Sequence, residues 1–236
     1  MNVFLFDLDG TLLPMDQDRF VEIYFKGLAK KLIPYNIDPN IFINTIKEGV
    51  MAMILNDGTI SNEDRFWNTI IDLHGEGIRD LEPVFLDYYR NEFQDARVST
   101  TSNPVVNEII LHLKNKGYRI ILATNPLFPS MATFSRIKWA GLEPEDFELI
   151  TTFDNSSYCK PNIKYYEEIL KNQALNFDQC IMVGNNVKED MIASTIGIDT
   201  YLVTDCLINP EDEDISQYKN GTIDQLFEYI KNLPQV

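Results

Sequence analysis

Near its start the chain reads Val3-Phe4-Leu5-Phe6-Asp7-Leu8-Asp9-Gly10-Thr11-Leu12-Leu13. Four apolar residues in a row, without polar alternation, are typical of a central parallel strand that is buried on both faces. In open α/β sheets, ligands bind beyond the carboxyl ends of such strands. Because alternate residues of an extended chain share a face, the pattern predicts that Asp7 and Asp9 lean toward one small volume. Two carboxylates held there repel each other unless a cation or a proton lies between them.

The composition predicts a globular protein with one large α/β domain, or one domain with a smaller insert. The 236 residues are 44% hydrophobic and carry a net charge of −16, which disfavours nucleic acid and anionic membrane surfaces as partners. No apolar run approaches the roughly 18 residues of a membrane helix. No basic region precedes the first apolar stretch, so we expect no signal peptide. Three scattered cysteines favour a reducing, cytoplasmic setting. The sequence indicates no oligomeric state.

Two kinds of pattern follow the first strand. Helical periodicity fills residues 16–102, beginning with apolar residues at a spacing of four: Phe20, Tyr24, Leu28 and Leu32. From Asn103 onward, strands predicted over 118–123, 147–152, 179–183 and 199–203 alternate with helices predicted over 104–117, 130–140, 161–170, 189–196 and 223–233. This alternation predicts a doubly wound parallel sheet with right-handed crossovers.

The segment Asp7-Leu8-Asp9-Gly10-Thr11 resembles the first motif, Asp-x-Asp-x-Thr/Val, of the haloacid dehalogenase superfamily, most of whose members are phosphohydrolases. The resemblance extends from Val3 to about Val203, with the helical segment inside it. It implies a Rossmann-like core domain over 1–14 and 104–236, and an all-α cap domain over 15–103 inserted after the first motif. The tethers near Pro14 and Thr100 are the expected hinges of such a cap.

The same resemblance implies roles for residues on three strand ends. Asp7 is expected to be the nucleophile that forms an aspartyl-phosphate, and Asp9 the acid and base. Thr124, at the end of Ile120-Ile121-Leu122-Ala123-Thr124-Asn125, corresponds to the second motif, and we expect it to bind the phosphoryl group together with Asn125. Lys160, followed by Pro161, corresponds to the third motif, where an ammonium group suits a contact to phosphate and the nucleophile.

The fourth motif departs from the family pattern. It normally supplies acidic metal ligands after a glycine, whereas this chain reads Gly184-Asn185-Asn186-Val187-Lys188-Glu189-Asp190. Either Asn185 or Asn186 takes the place of the expected carboxylate. An amide oxygen can bind Mg²⁺ but brings no charge. With Asp7, Asp9 and Asp190 near that amide, we expect a Mg²⁺ site of weakened affinity, and a small phosphorylated metabolite as substrate.

Two other functions are compatible with these motifs. A phosphomutase uses the same four motifs, and a binding or regulatory protein would result if the amide in the fourth motif disabled the site. Dehalogenation needs no proton donor at the second acid, so Asp9 favours phosphoryl transfer instead.

The sequence leaves the substrate itself open. Arg19, Tyr24 and the loop Asn56-Asp57-Gly58 are candidate contacts from the helical segment, although a packing or solvent-facing position is the simpler interpretation of each. His74 and His112 are isolated, lack metal-site spacing and fit surface or packing positions.

Overall fold

Six parallel strands form one sheet in the computed structural model, which describes residues 1–35 and 38–236. The strands are β1 (Val3–Phe6), β2 (Arg119–Leu122), β3 (Leu149–Ile150), β4 (Cys180–Gly184), β5 (Asp199–Val203) and β6 (Lys219–Gly221). They lie in the order β3-β2-β1-β4-β5-β6, so the strand order reverses at β1. A ligand crevice forms outside the carboxyl ends of the strands at such a point. The doubly wound α/β fold predicted from the sequence is confirmed.

Between β1 and β2 lies an all-helical segment, here called the helical insert (residues 17–35 and 38–99). Its helices are α1 (Gln17–Leu32), α2 (Pro39–Ile54), α3 (Asn62–His74) and α4 (Glu82–Arg90), with 3-10 turns at Ile33–Tyr35, Glu76–Leu81 and Glu92–Ser99. The side chains of Asp16, Asp38 and Ser61 accept backbone N–H groups at the starts of α1, α2 and α3. They satisfy donors that have no partner inside the helix. No helix in the described part of the chain is long and apolar enough to cross a membrane.

The two connections between the helical insert and the sheet run side by side. The Asp16 N–H donates to the Ser99 carbonyl at 2.9 Å, and the Thr101 N–H donates to the Pro14 carbonyl at 3.0 Å. The insert therefore leaves the sheet and returns to it at one place, a few residues beyond Asp9.

Four helices pack against the two faces of the sheet: α5 (Pro104–Asn115), α6 (Ser130–Trp139), α7 (Ile163–Asn172) and α8 (Ile223–Lys231). Every side chain of β1 is fully buried. Phe4 and Phe6 belong to the apolar cluster that contains residues of α5 and α8, whereas Val3 and Leu5 belong to the cluster that contains residues of α7. The unbroken apolar run of β1 is thus explained by helices on both faces.

Two sequence-based predictions of local structure differ from the fold, and one strand has no counterpart among the predictions. The helix predicted over 189–196 is only a 3-10 turn, Met191–Ile196, because Asn186 and Asp190 tie the preceding residues into a turn. The strand predicted over 147–152 shortens to Leu149–Ile150. The edge strand Lys219–Gly221 was not predicted, because it contains no apolar residue.

Candidate active site

A cavity of about 240 Å³ opens at the carboxyl ends of β1, β2 and β4. Asp7 and Asp9 reach it from beyond β1, Thr124 and Asn125 from beyond β2, and residues of the segment 185–190 from beyond β4. The parallel sheet brings these distant parts of the sequence to one edge. Asp7 and Asp9 line the same cavity, as the alternation of the first strand predicts.

Lys160 lies buried directly against Asp7. Its ammonium group donates to Asp7 Oδ1 at 2.9 Å and to Asp190 Oδ1 at 2.7 Å. Burial works against the charge of Lys160, but the carboxylates of Asp190 and Asp7 outweigh it and hold the pKa of the ammonium above its usual value. Lys160 therefore stays protonated and fixes one oxygen of Asp7.

Asn125 and Thr124 support this arrangement from the end of β2. The Asn125 carboxamide accepts the Lys160 N–H at 3.2 Å and donates to Glu189 Oε2 at 3.1 Å. Burial raises the pKa of Glu189 to about 7. Thr124 is buried, and its carbonyl accepts the hydroxyl group of Tyr165 at 2.9 Å, which holds the strand end in place. Both residues line the cavity. The hydrogen bond from the Lys160 N–H to Asn125 also holds the loop that carries Lys160 in place.

Asn185 faces Asp7 across Thr11. The Thr11 hydroxyl lies 3.2 Å from Asp7 Oδ2 and 3.1 Å from Asn185 Oδ1. Asn185 Nδ2 donates to the Cys206 carbonyl at 2.6 Å, so the amide oxygen is the atom turned toward Asp7. Gly10 has φ +90°, and a Cβ there would lie 2.2 Å from Asn185 Nδ2. Glycine is therefore required both for the turn and for the close approach of Asn185.

Asp9 forms an ion pair with Arg136, a residue of α6 that is 2% exposed. The guanidinium of Arg136 contacts Asp9 Oδ2 and lies 4.5 Å above the Phe128 ring. Asp9 Oδ1 is buried without a hydrogen-bond partner among the described residues. Burial raises the pKa of Asp9 to about 6, against the opposing effect of Arg136. One oxygen of Asp9 is thus anchored, and the other is left for a proton or a ligand.

Asn186 and Asp190 are occupied by local contacts. Asn186 Oδ1 accepts the N–H groups of Lys188 at 3.1 Å and Glu189 at 3.2 Å. Asp190 Oδ2 accepts the Asn186 N–H at 2.9 Å, and its other oxygen holds Lys160. A Cβ on Gly184 would lie 2.1 Å from Asp190 Oδ2, so this carboxylate packs directly on the end of β4.

The donor atoms around Asp7 fit a hard cation with few protein ligands. Within the described ranges no three His, Cys, Asp or Glu residues are grouped to hold a metal. Asp7 Oδ2 and Asn185 Oδ1 nevertheless both lie next to the Thr11 hydroxyl, and Asp9, whose Oδ1 has no partner among the described residues, lines the same cavity. Mg²⁺ accepts such a set, because it binds through one or two carboxylates and keeps several waters.

The charge balance of the cavity also favours a cation. Its lining includes four carboxyl groups, those of Asp7, Asp9, Glu189 and Asp190, but only one cationic side chain, Arg136. The buried Lys160 adds a second positive charge next to the cavity. Arg136 is already paired with Asp9, and Lys160 is already paired with Asp7. A phosphate dianion entering this cavity meets net negative charge unless a divalent ion accompanies it.

Sequence reasoning missed Arg136. The available signal was the periodicity of α6, which places Arg136 three and four residues after Thr133 and Ala132, both buried. A charged residue on the buried stripe of a helix requires a partner, and here that partner is Asp9.

The residues of the helical insert that the sequence suggests as substrate contacts differ in their exposure and packing. Tyr24 is buried, with its hydroxyl 2.9 Å from that of Tyr89, and Arg19 is exposed. The loop 56–58 packs on the core: the Tyr158 hydroxyl donates to the Asp57 carbonyl at 3.1 Å. Neither of the two histidines lines the cavity, and His74 lies 2.6 Å from the Thr45 hydroxyl.

A carboxylate held by a buried lysine at the switch point of a parallel sheet is a geometry in which an aspartate can act as a nucleophile. The haloacid dehalogenase-like hydrolase family matches residues 1–194, and the chain belongs to that family.

Two relatives with assigned activities share part or most of the chain. A glyceraldehyde 3-phosphate phosphatase from Methanothermobacter thermautotrophicus is 27% identical over 134 residues, which span 56% of this chain and 57% of that protein. A phosphoglycolate phosphatase from Colwellia psychrerythraea is 27% identical over 219 residues, 92% of this chain and 89% of that protein. These matches support assignment to the phosphatases of the family.

Solved structures agree with the fold. A HAD phosphatase from Thermococcus onnurineus superposes with a TM-score of 0.61 at 18% identity, covering 100% of both chains. The HAD-hydrolase YfnB from Bacillus subtilis, bound to magnesium, gives a TM-score of 0.55 at 16% identity, covering 98% of this chain and 99% of that one.

Proposed function

We propose that this protein is a Mg²⁺-dependent phosphatase that hydrolyses a small phosphorylated metabolite through an aspartyl-phosphate on Asp7. The observation that carries the proposal is the setting of Asp7. Its two oxygens are fixed by the buried Lys160 and by Thr11, at a cavity where one oxygen of Asp9 has no partner within residues 1–35 and 38–236. A preorganised nucleophile beside a partly free acid is what a two-step phosphoryl transfer requires.

In the first step a carboxylate oxygen of Asp7 attacks phosphorus, and the bond from phosphorus to the alcohol oxygen breaks. Asp9, with its pKa raised by burial to about 6, gives its proton to the departing oxygen. In the second step the Asp9 carboxylate takes a proton from water, which attacks the aspartyl-phosphate. This releases inorganic phosphate and restores both carboxyl groups.

The other residues of the site neutralise charge and position the phosphoryl group. Lys160 neutralises Asp7 and the phosphoryl oxygens, and Thr124 and Asn125 lie where they can bind the phosphoryl group. Asp7, Asn185 and the main-chain carbonyl of Asp9 would hold Mg²⁺, which supplies positive charge to the phosphoryl oxygens when bound. We assign the amide ligand to Asn185 because Asn186 is engaged in capping contacts. Asp190 anchors Lys160 and lies next to this ligand set.

The helical insert is proposed to act as a cap, with a core over 1–14 and 104–236 and a cap over 15–103. The adjacent tethers support this division, and so do Phe20 and Val21 of α1, which line the cavity. A cytoplasmic location forms part of the proposal, consistent with three free cysteines within residues 1–35 and 38–236.

The test compares two substitutions of the same kind. With Mg²⁺ and phenyl phosphate, Asp7→Asn is expected to abolish phosphate release, whereas Asp224→Asn, on an exposed position of α8, leaves it unchanged. Binding of beryllium fluoride to Asp7, followed by fluorine NMR, tests the nucleophile without turnover. Unchanged turnover of Asp7→Asn, or no turnover of wild type with any divalent ion, would favour the binding-protein alternative.

A further inference from the structure

A second and larger cavity, here called the apolar cavity, adjoins the catalytic one. Its volume is about 420 Å³, and it lies between the helical insert and the loops 127–130 and 153–154 of the core. Phe20, Val21, Leu127 and Phe128 line both cavities. A group attached to a phosphate at Asp7 therefore has a neighbouring space to enter. Ligand sites of about 300–1,000 Å³ are typical of small molecules.

The walls of the apolar cavity are mostly apolar, and nine of the twenty residues that line it are aromatic. Helices α1, α3 and α4 contribute rings to it, and Phe128 and Phe153 contribute rings from the core. Trp67 packs on Phe66 and Phe85 at ring separations of 5.7 and 6.0 Å, so these walls are held by their own contacts. Such a lining favours the binding of a planar or branched apolar group and contributes little binding energy to a hydrated group.

The charged residues that line the apolar cavity are all acidic: Glu63, Glu82 and Asp154. Arg79 pairs with Glu82 at 3.4 Å, whereas Glu63 and Asp154 form no ion pair within the described residues. Burial, with the neighbouring Asp154, raises the pKa of Glu63. A carboxylate on the substrate would be repelled here, whereas an uncharged or cationic group would not.

We infer that the substrate is a phosphate monoester whose alcohol carries an apolar group of at least one ring, without negative charge, and that this group occupies the apolar cavity. The inference rests on the proposed function, because it assumes that the phosphate lies at Asp7. It also separates this chain from its phosphoglycolate phosphatase relative, because phosphoglycolate is small and bears a carboxylate.

Three matched aryl phosphates test the inference: 4-ethylphenyl, 4-(aminomethyl)phenyl and 4-(carboxymethyl)phenyl phosphate. A methylene separates each substituent from the ring, so the three phenols leave with similar ease. We expect kcat/KM for the ethyl ester to exceed that for the carboxymethyl ester by about tenfold or more, because the added carboxylate would lie beside acidic side chains. The aminomethyl ester should also rank above the carboxymethyl ester, and phosphoglycolate should be a poorer substrate than the ethyl ester. Equal values, or a preference for either carboxylate, would overturn the inference.

Two variants locate the effect in the apolar cavity. Glu63→Gln should reduce the discrimination against the carboxymethyl ester. Val50→Phe narrows the space and should lower kcat/KM for 4-ethylphenyl phosphate more than for phosphoglycolate, whereas Val98→Phe, at an exposed site, should change neither. Thermal unfolding checks that each variant is folded. If the substrate ratios stay unchanged in both cavity variants, the inference is wrong.

Binding to the Asp7→Asn variant keeps the inference separate from the proposed function. Calorimetry should show tighter binding of 4-ethylphenyl than of 4-(carboxymethyl)phenyl phosphate even without turnover. Failure of wild type to hydrolyse any ester would contradict the phosphatase proposal. Tighter binding of the ethyl ester would still support the apolar cavity as the binding site, and equal or tighter binding of the carboxymethyl ester would overturn it.

Discussion

Replacing Arg136 by methionine is the substitution whose consequences follow most fully from the structure. The change keeps an unbranched side chain in α6 but removes the charge that pairs with Asp9 and the contact with the Phe128 ring. Loss of one member of a buried ion pair lowers the free energy of unfolding by about 3–5 kcal/mol. The Asp9 side chain is 19% exposed, whereas that of Arg136 is 2% exposed, so we expect the lower end, about 3 kcal/mol.

The same substitution should change the balance of the two chemical steps. Arg136 lowers the pKa of Asp9, so its removal raises that pKa above about 6 and increases the protonated fraction near neutral pH. The protonated form serves as the acid of the first step but not as the base of the second. We therefore expect slower hydrolysis of the aspartyl-phosphate and a shift of the rising limb of the kcat profile to higher pH.

Urea denaturation measures the first effect, and a kcat profile across the neutral range with rapid-quench detection of bound phosphate measures the second. The matched control is Lys138→Met, which removes a positive charge from an exposed site of the same helix. If Arg136→Met matches Lys138→Met in both stability and pH profile, the assigned role of Arg136 is wrong.

Three further outcomes are expected. Gly10→Ala should lower the free energy of unfolding, measured by urea denaturation, by at least about 1–2 kcal/mol because residue 10 has a positive φ. The clash with Asn185 adds to this loss, whereas Gly77→Ala, which enters open space, should leave the free energy of unfolding nearly unchanged. Asn185→Asp should lower the Mg²⁺ concentration needed for half-maximal phosphate release by about tenfold or more, because it adds a charged ligand; an unchanged requirement would contradict its place in the metal site. In the native protein Cys206 should react with iodoacetamide at neutral pH faster than the other two cysteines, as measured by peptide mass spectrometry. The reason is that burial raises the pKa of Cys159 to about 12 and that of Cys180 to about 11.

The sequence predicted the features that depend on local pattern. The buried first strand and the alternation of strands with helices after residue 103 follow from the periodicity of apolar residues. The approach of Lys160 to Asp7 was expected from the resemblance of Lys160-Pro161 to the third motif of the family.

The remaining features depend on tertiary contacts that leave little local trace. Arg136 lies in a short helix whose pattern does not reveal which residue it will meet. Our proposal of Asn185 rather than Asn186 as the metal ligand rests on two contacts. The Cys206 carbonyl, twenty-one residues away, turns the amide of Asn185, and the Asn186 side chain caps the following turn. Asp190, expected near a metal, also holds Lys160, a contact that no spacing rule predicts.

Acid-quench mass spectrometry of the enzyme during turnover of phenyl phosphate with Mg²⁺ detects the proposed aspartyl-phosphate itself. A covalent mechanism through Asp7 predicts one added phosphoryl group on the peptide that contains Asp7, formed within a single turnover and lost on further incubation, and its absence in Asp7→Asn. Turnover at the full rate with no phosphoryl group on that peptide, or with the group on a different residue, would contradict it.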